Sequence, residues 1–80
     1  MSNKNAIHRE LFIASHNLNN YELDSYCGRE QNNIYDARAA LDAGDMSEAI
    51  RHVYTLLQSD RLDRAARAAA LCALRLMEKS

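Results

Sequence analysis

The sequence predicts an all-α protein, a small bundle of three to four helices with a helical hairpin at 30–58. Three observations carry that reading. Proline is absent and glycine occurs only at Gly28 and Gly44. β-branched residues are sparse (four Ile, one Val, one Thr), whereas alanine, leucine and arginine abound, which is helix-forming composition. Apolar residues also recur at helical spacing in separate stretches bounded by capping signals. Eighty residues make one domain, 1–80. Its core is small, so self-association or a tight partner is expected to add stability.

The first helix is expected over 4–18, capped by Ser2 or Asn3. Ile7, Leu11, Ala14 and Leu18 form its apolar stripe, widened by Phe12 and Ile13. Asn17, Asn19 and Asn20 end it, since Asn competes for backbone hydrogen bonds. A short turn at 20–27 and a break near Gly28 then precede a helix from about Glu30 to Ala43, with a single kinked helix as the alternative. The run Ala43-Gly44-Asp45-Met46-Ser47-Glu48 reads as a helix stop and start together. Gly44 suits the left-handed position after a helix, and Asp45 with Glu48 has capping-box spacing. The following helix, 46–58, turns Met46, Ala49, Ile50, Val53 and Leu57 inward. Ser59 or Asp60 is expected to cap a last helix over 61–78. Its alanine face (Ala65, Ala66, Ala69, Ala70, Ala73) lets a neighbour approach closely.

The stretch Gly44-Asp45-Met46-Ser47-Glu48-Ala49-Ile50 resembles the start of the second helix of a tetratricopeptide repeat. Ala49 and Ala37 stand where that family places small inter-helix residues. Asp36, Ala40 and Arg61 depart from the pattern, which has a large apolar residue, an aromatic and a proline there. The resemblance covers residues 30–58, one hairpin where repeat arrays need about three repeats, and it implies a protein-interaction surface.

Nothing in the sequence points to catalysis, a cofactor or a metal. His8, His16 and His52 lack ligand spacing with each other or with a cysteine, and no glycine-rich loop could cradle phosphate. Cys27 and Cys72 read as reduced core residues of a cytoplasmic protein. No stretch approaches the ~20 apolar residues of a membrane span.

Two features suit binding. Residues 1–58 carry five basic and eight acidic side chains, and residues 59–80 five basic against three acidic. In that basic tail Arg61, Arg64, Arg67, Arg75 and Lys79 fall within an arc of roughly 120° on one continuous helix. Tyr21, Tyr26 and Tyr35 cluster in the acidic middle, and tyrosine is favoured at interfaces for its large apolar ring and polar tip. The expected function is a non-enzymatic module that binds a larger protein bearing an acidic patch and regulates or inhibits it, by analogy with small accessory proteins of bacteria and phages. A homodimer is expected as well. The alternative is a nucleic-acid-binding regulator using the arginine stripe, set against the net charge of −1.

Overall fold

The computed structural model describes residues 3–18 and 28–79. They form four helices: α1 (Lys4–Leu18), α2 (Gly28–Asp42), α3 (Met46–Leu57) and α4 (Arg64–Lys79). No strand occurs among the described residues. The expected turn at 20–27, with Tyr21, Tyr26 and Cys27, lies outside them.

Cross-links between neighbours establish an alternating up-and-down path. His8 early in α1 meets Asp42 at the end of α2, and Ser15 meets Gln31. Glu30 early in α2 meets Ser59 beyond α3, and Arg67 early in α4 meets Leu57 at the end of α3. The helices pack as two close pairs, α1 with α4 and α2 with α3, joined by sparser α1–α2 and α3–α4 contacts. The diagonal pairs make no close backbone contact.

The stripe Ile7, Leu11, Ala14 and Leu18 is buried as its spacing predicts. Phe12 and Ile13 do not widen it: they are 58% and 38% exposed. They point away from the line of buried residues, and α1 has helices only on the faces toward α2 and α4. α2 begins at Gly28, two residues before the expected start, so this glycine sits at a helix end and not in an interior. Ile34, Ala37 and Leu41 are its buried apolar residues.

At the α2–α3 link the Gly44 stop and the Asp45 cap form as predicted, but the capping box is not completed, because the Asp45 N–H is taken by the Ala40 carbonyl and Glu48 pairs with Arg51. Gly44 has φ +81°, its N–H donates to the Leu41 carbonyl (3.1 Å), and the Asp45 N–H donates to the Ala40 carbonyl (2.9 Å). That pair of bonds is a Schellman closure. Asp45 then accepts from the Glu48 N–H (3.2 Å), while the Glu48 carboxylate turns outward to Arg51 at 2.7 and 2.8 Å. Ala49, Val53 and Leu56 are buried on α3, while Met46, Ile50 and Leu57 are only half-buried.

The last helix begins three residues later than expected. Asp63, not Ser59 or Asp60, caps it by accepting from the Ala66 N–H (2.8 Å). Ser59 is already engaged, accepting from the Arg61 N–H (3.1 Å) and donating to Glu30 (2.6 Å). Ala66, Ala69, Ala70, Ala73, Leu74 and Met77 are buried, and Leu62 adds to the core from the preceding loop. Ala65 and Cys72 are exposed, so Cys72 is a free surface thiol and not a core residue.

A Cβ at Gly44 would meet nothing within 4 Å, so the backbone angle alone sets the cost of replacing it. Gly44→Val should lower stability by more than about 1 kcal/mol, with Gly44→Asn costing clearly less. Urea unfolding checks this, and equal stability of the two variants would contradict it.

Candidate functional site

The residues expected to form one basic stripe do not share one surface. Arg61 lies in the loop before α4 and is exposed. Arg67 is half-buried, and its Nη1 and Nη2 donate to the Leu57 and Ser59 carbonyls at 2.9 and 2.7 Å. It satisfies carbonyls at the C-terminal end of α3, where a cation is also favoured by the helix dipole. Arg64, Arg75 and Lys79 remain exposed along α4. The stripe is therefore broken by the late helix start and by the work Arg67 does in the fold.

Beside Arg67, at the junction of α2 with the α3–α4 loop, lies a polar cluster that sequence reasoning missed. Glu30 is 4% exposed. Its Oε2 accepts from the Ser59 hydroxyl (2.6 Å), while Oε1 is buried without a hydrogen-bond partner. Burial pushes the Glu30 carboxyl up, but the Ser59 hydroxyl, the backbone N–H of Glu30 and the charges of Arg61 and Arg29 together hold it below the ordinary carboxylate value. An acid amid the apolar spacing of Ile34, Ala37 and Leu41 was the only signal of it.

A surface feature that joins two helices is the seam between α1 and α2. It holds a groove of about 550 Å³, lined by Ser15, Gln31, Asn32, Ile34, Tyr35, Arg38, Ala39 and Asp42. Polar side chains bridge it. The Ser15 hydroxyl donates to Gln31 Oε1 (2.6 Å), and Gln31 Nε2 donates back to the Ser15 carbonyl (3.1 Å). At one end His8 lies between Arg38 and Asp42. Arg38 Nε donates to His8 Nδ1 (3.2 Å), which leaves Nε2 to carry the ring proton and donate to Asp42 (2.9 Å). Lys4 also approaches Asp42, at 3.6 Å. The His8 hydrogen bond, with the charge of Lys4 and against the opposing pull of burial, holds the Asp42 carboxyl below its usual value.

One large aromatic, Tyr35, lines this groove, and a second, Phe12, is exposed on α1. Tyr35, expected at a binding surface, is 74% exposed, and Phe12, expected in the core, is 58% exposed. Because His8 meets Arg38 and Asp42 while Ser15 meets Gln31, the antiparallel register brings Tyr35 level with Phe12. The Phe12 ring stacks on His16 with centroids 6.3 Å apart. Phe12 could have been recognised from its position off the Ile7–Leu11 line.

Among the described residues, no three His, Cys, Asp or Glu side chains gather as a metal site would require. No helix among them is long and apolar enough to cross a membrane. No protein-family model, curated protein or solved structure matches the chain.

Two stability predictions follow from these contacts. Arg67→Ala should cost about 1–3 kcal/mol by stripping partners from carbonyls at the end of α3, whereas Arg64→Ala and Arg75→Ala should stay within about 0.5 kcal/mol. Chemical denaturation of the three variants decides this, and equal effects would contradict it. Ser59→Ala should cost about 1–3 kcal/mol at neutral pH, because the buried Glu30 carboxylate, whose Oε1 already lacks a partner, would lose the Ser59 hydroxyl on Oε2. Glu30 has a depressed folded-state value, so its favourable contacts stabilise the protein above the ordinary carboxylate range and are lost as pH falls through that lower value. The gap between wild type and Ser59→Ala should therefore narrow on acidification. A gap that is constant with pH would show that the Glu30 carboxylate is not the group Ser59 serves.

Proposed function

We propose that this chain is a small non-enzymatic protein-binding module that regulates or inhibits a larger partner, and that it engages that partner through the α1–α2 groove. The observation that supports this reading is the pair Phe12 and Tyr35, both large, both mostly exposed and level with one another along α1 and α2, with Tyr35 lining a groove that the Ser15–Gln31 bond bridges. Aromatic side chains bordering a concave, polar-lined site are the usual anchors of a protein interface, since each covers much area at little entropy cost. The resemblance of the α2–α3 hairpin to a tetratricopeptide unit fits an interaction role. A cytoplasmic location is part of the same proposal, in keeping with the unpaired thiol of Cys72.

Self-association is proposed for the outer face of α4, where Ala65, Ala68, Leu71 and Cys72 are exposed. The nucleic-acid alternative has less behind it. With Arg67 bonded internally and Arg61 off the helix, the basic surface of α4 reduces to Arg64, Arg75 and Lys79. A phosphate-tracking surface uses more cations than that.

The test is capture of partners from nuclease-treated lysate of the source cells, comparing wild type with the double variant Phe12→Ser, Tyr35→Ser. Both positions are exposed, so the double variant should melt close to wild type. Its affinity for the captured protein should fall by at least about 2 kcal/mol, or roughly thirtyfold. Retention of the same protein at full affinity by the double variant would contradict the groove as the binding surface. Loss of every partner on nuclease treatment would favour nucleic acid instead.

A further inference from the structure

Arg38 stands apart from the other charged groups of the α1–α2 seam. It is half-buried, lines the groove, and makes one hydrogen bond, from Nε to the neutral ring nitrogen of His8. That bond fixes one edge of the guanidinium against α1 and leaves its Nη groups without a hydrogen-bond partner among the described residues. The acid of the same cluster, Asp42, is engaged by His8 at 2.9 Å and Lys4 at 3.6 Å. A part-buried arginine without a carboxylate is an unused bidentate donor, and planar carboxylate is the group its fork matches best.

We propose that the Nη edge of Arg38 receives an Asp or Glu carboxylate from the partner protein, with Phe12 and Tyr35 covering an apolar residue beside that acid. The proposal rests on the groove reading given above and specifies the chemistry of its occupant. His8 is then a positioning residue: its Nδ1 holds the guanidinium in orientation, and its Nε2–H is tied to Asp42 so that the ring cannot turn. The occupant is a protein acid, not a nucleic-acid phosphate, for two reasons. The site offers one fork instead of a row of cations, and the chain has a net charge of −1.

The experiment uses the full chain and a display library of random linear peptides, selected on the wild-type protein at physiological salt. Enriched peptides should share an acidic residue next to an aromatic or large aliphatic one. Arg38→Gln should weaken their binding by at least about tenfold, as expected for loss of a charge-assisted pair. Arg38→Lys, which keeps the charge without the fork, should fall between the two, and Arg64→Gln on α4 should bind like wild type. Melting curves establish that each variant is folded, and Arg38→Lys carries the comparison if Arg38→Gln is not. Peptides that bind Arg38→Gln as well as wild type but lose binding to Phe12→Ser, Tyr35→Ser would overturn the carboxylate site and leave the groove standing. Peptides indifferent to both changes, or no enrichment at all, would overturn both. Tight binding of a single-stranded or duplex oligonucleotide that Arg38→Gln abolishes would identify phosphate as the occupant and overturn the proposal.

Discussion

The close approach of α4 to α1 through alanine is the constraint on which the rest of this bundle depends. Ala66, Ala69, Ala70 and Ala73 leave little side chain on the inner face of α4, and α1 brings Ala14 to its own buried stripe. Small residues let the two helix backbones come near, so packing energy is gathered along this pair and along α2–α3. A bundle that concentrates its contacts in two opposite seams must leave the other two looser. One of these, α3–α4, is tied by Arg67 to the end of α3 and by the Tyr54 hydroxyl donating to Glu78 (3.1 Å). The other, α1–α2, is bridged by Ser15, Gln31, His8, Arg38 and Asp42, and there the groove forms.

That division accounts for the character of the groove. Its bridges are hydrogen bonds between half-buried polar groups, which hold geometry well but add little net stability each. A seam held this way presents donors and acceptors at defined positions while Tyr35 on α2 and Phe12 on α1 stay in solvent. The opposite end of α2 shows the cost of placing a charge inside a small core. Glu30 is buried with Oε2 satisfied by Ser59 and Oε1 left alone, and the Ser59 hydroxyl, the Glu30 backbone N–H and the charges of Arg61 and Arg29 together are needed to outweigh its burial. Ser59, engaged there and with the Arg61 N–H, leaves the capping of α4 to Asp63.

Much of the fold was legible in the sequence because it follows from local rules. Gly44 and Asp45 announced the hairpin, since a left-handed glycine followed by a capping acid has few other uses, and the stripe from Ile7 to Leu18 follows from spacing alone. What was misread depended on tertiary competition. Ser59 has the right chemistry for a cap, yet Glu30, distant in sequence, claims its hydroxyl. Arg67 has the right spacing for a surface stripe, yet the carbonyls ending α3 lie within its reach. Phe12 looks like core by composition, but it lies off the Ile7–Leu11 line, and α1 packs only against α2 and α4, which leaves it facing outward. Tyr35 was expected at a binding surface and is exposed, while His8 and Arg38 of the same seam are brought together by packing that no local pattern encodes.

The central claim is that partner recognition resides on the α1–α2 seam and not on the basic helix. Amide hydrogen exchange of the free chain and of its complex with the captured partner tests this most directly, because it reports both surfaces in one experiment. The account predicts added protection confined to residues 8–16 of α1 and 31–42 of α2, with α4 unchanged. Protection appearing instead along residues 64–79, with the α1–α2 seam exchanging as in the free chain, would contradict it.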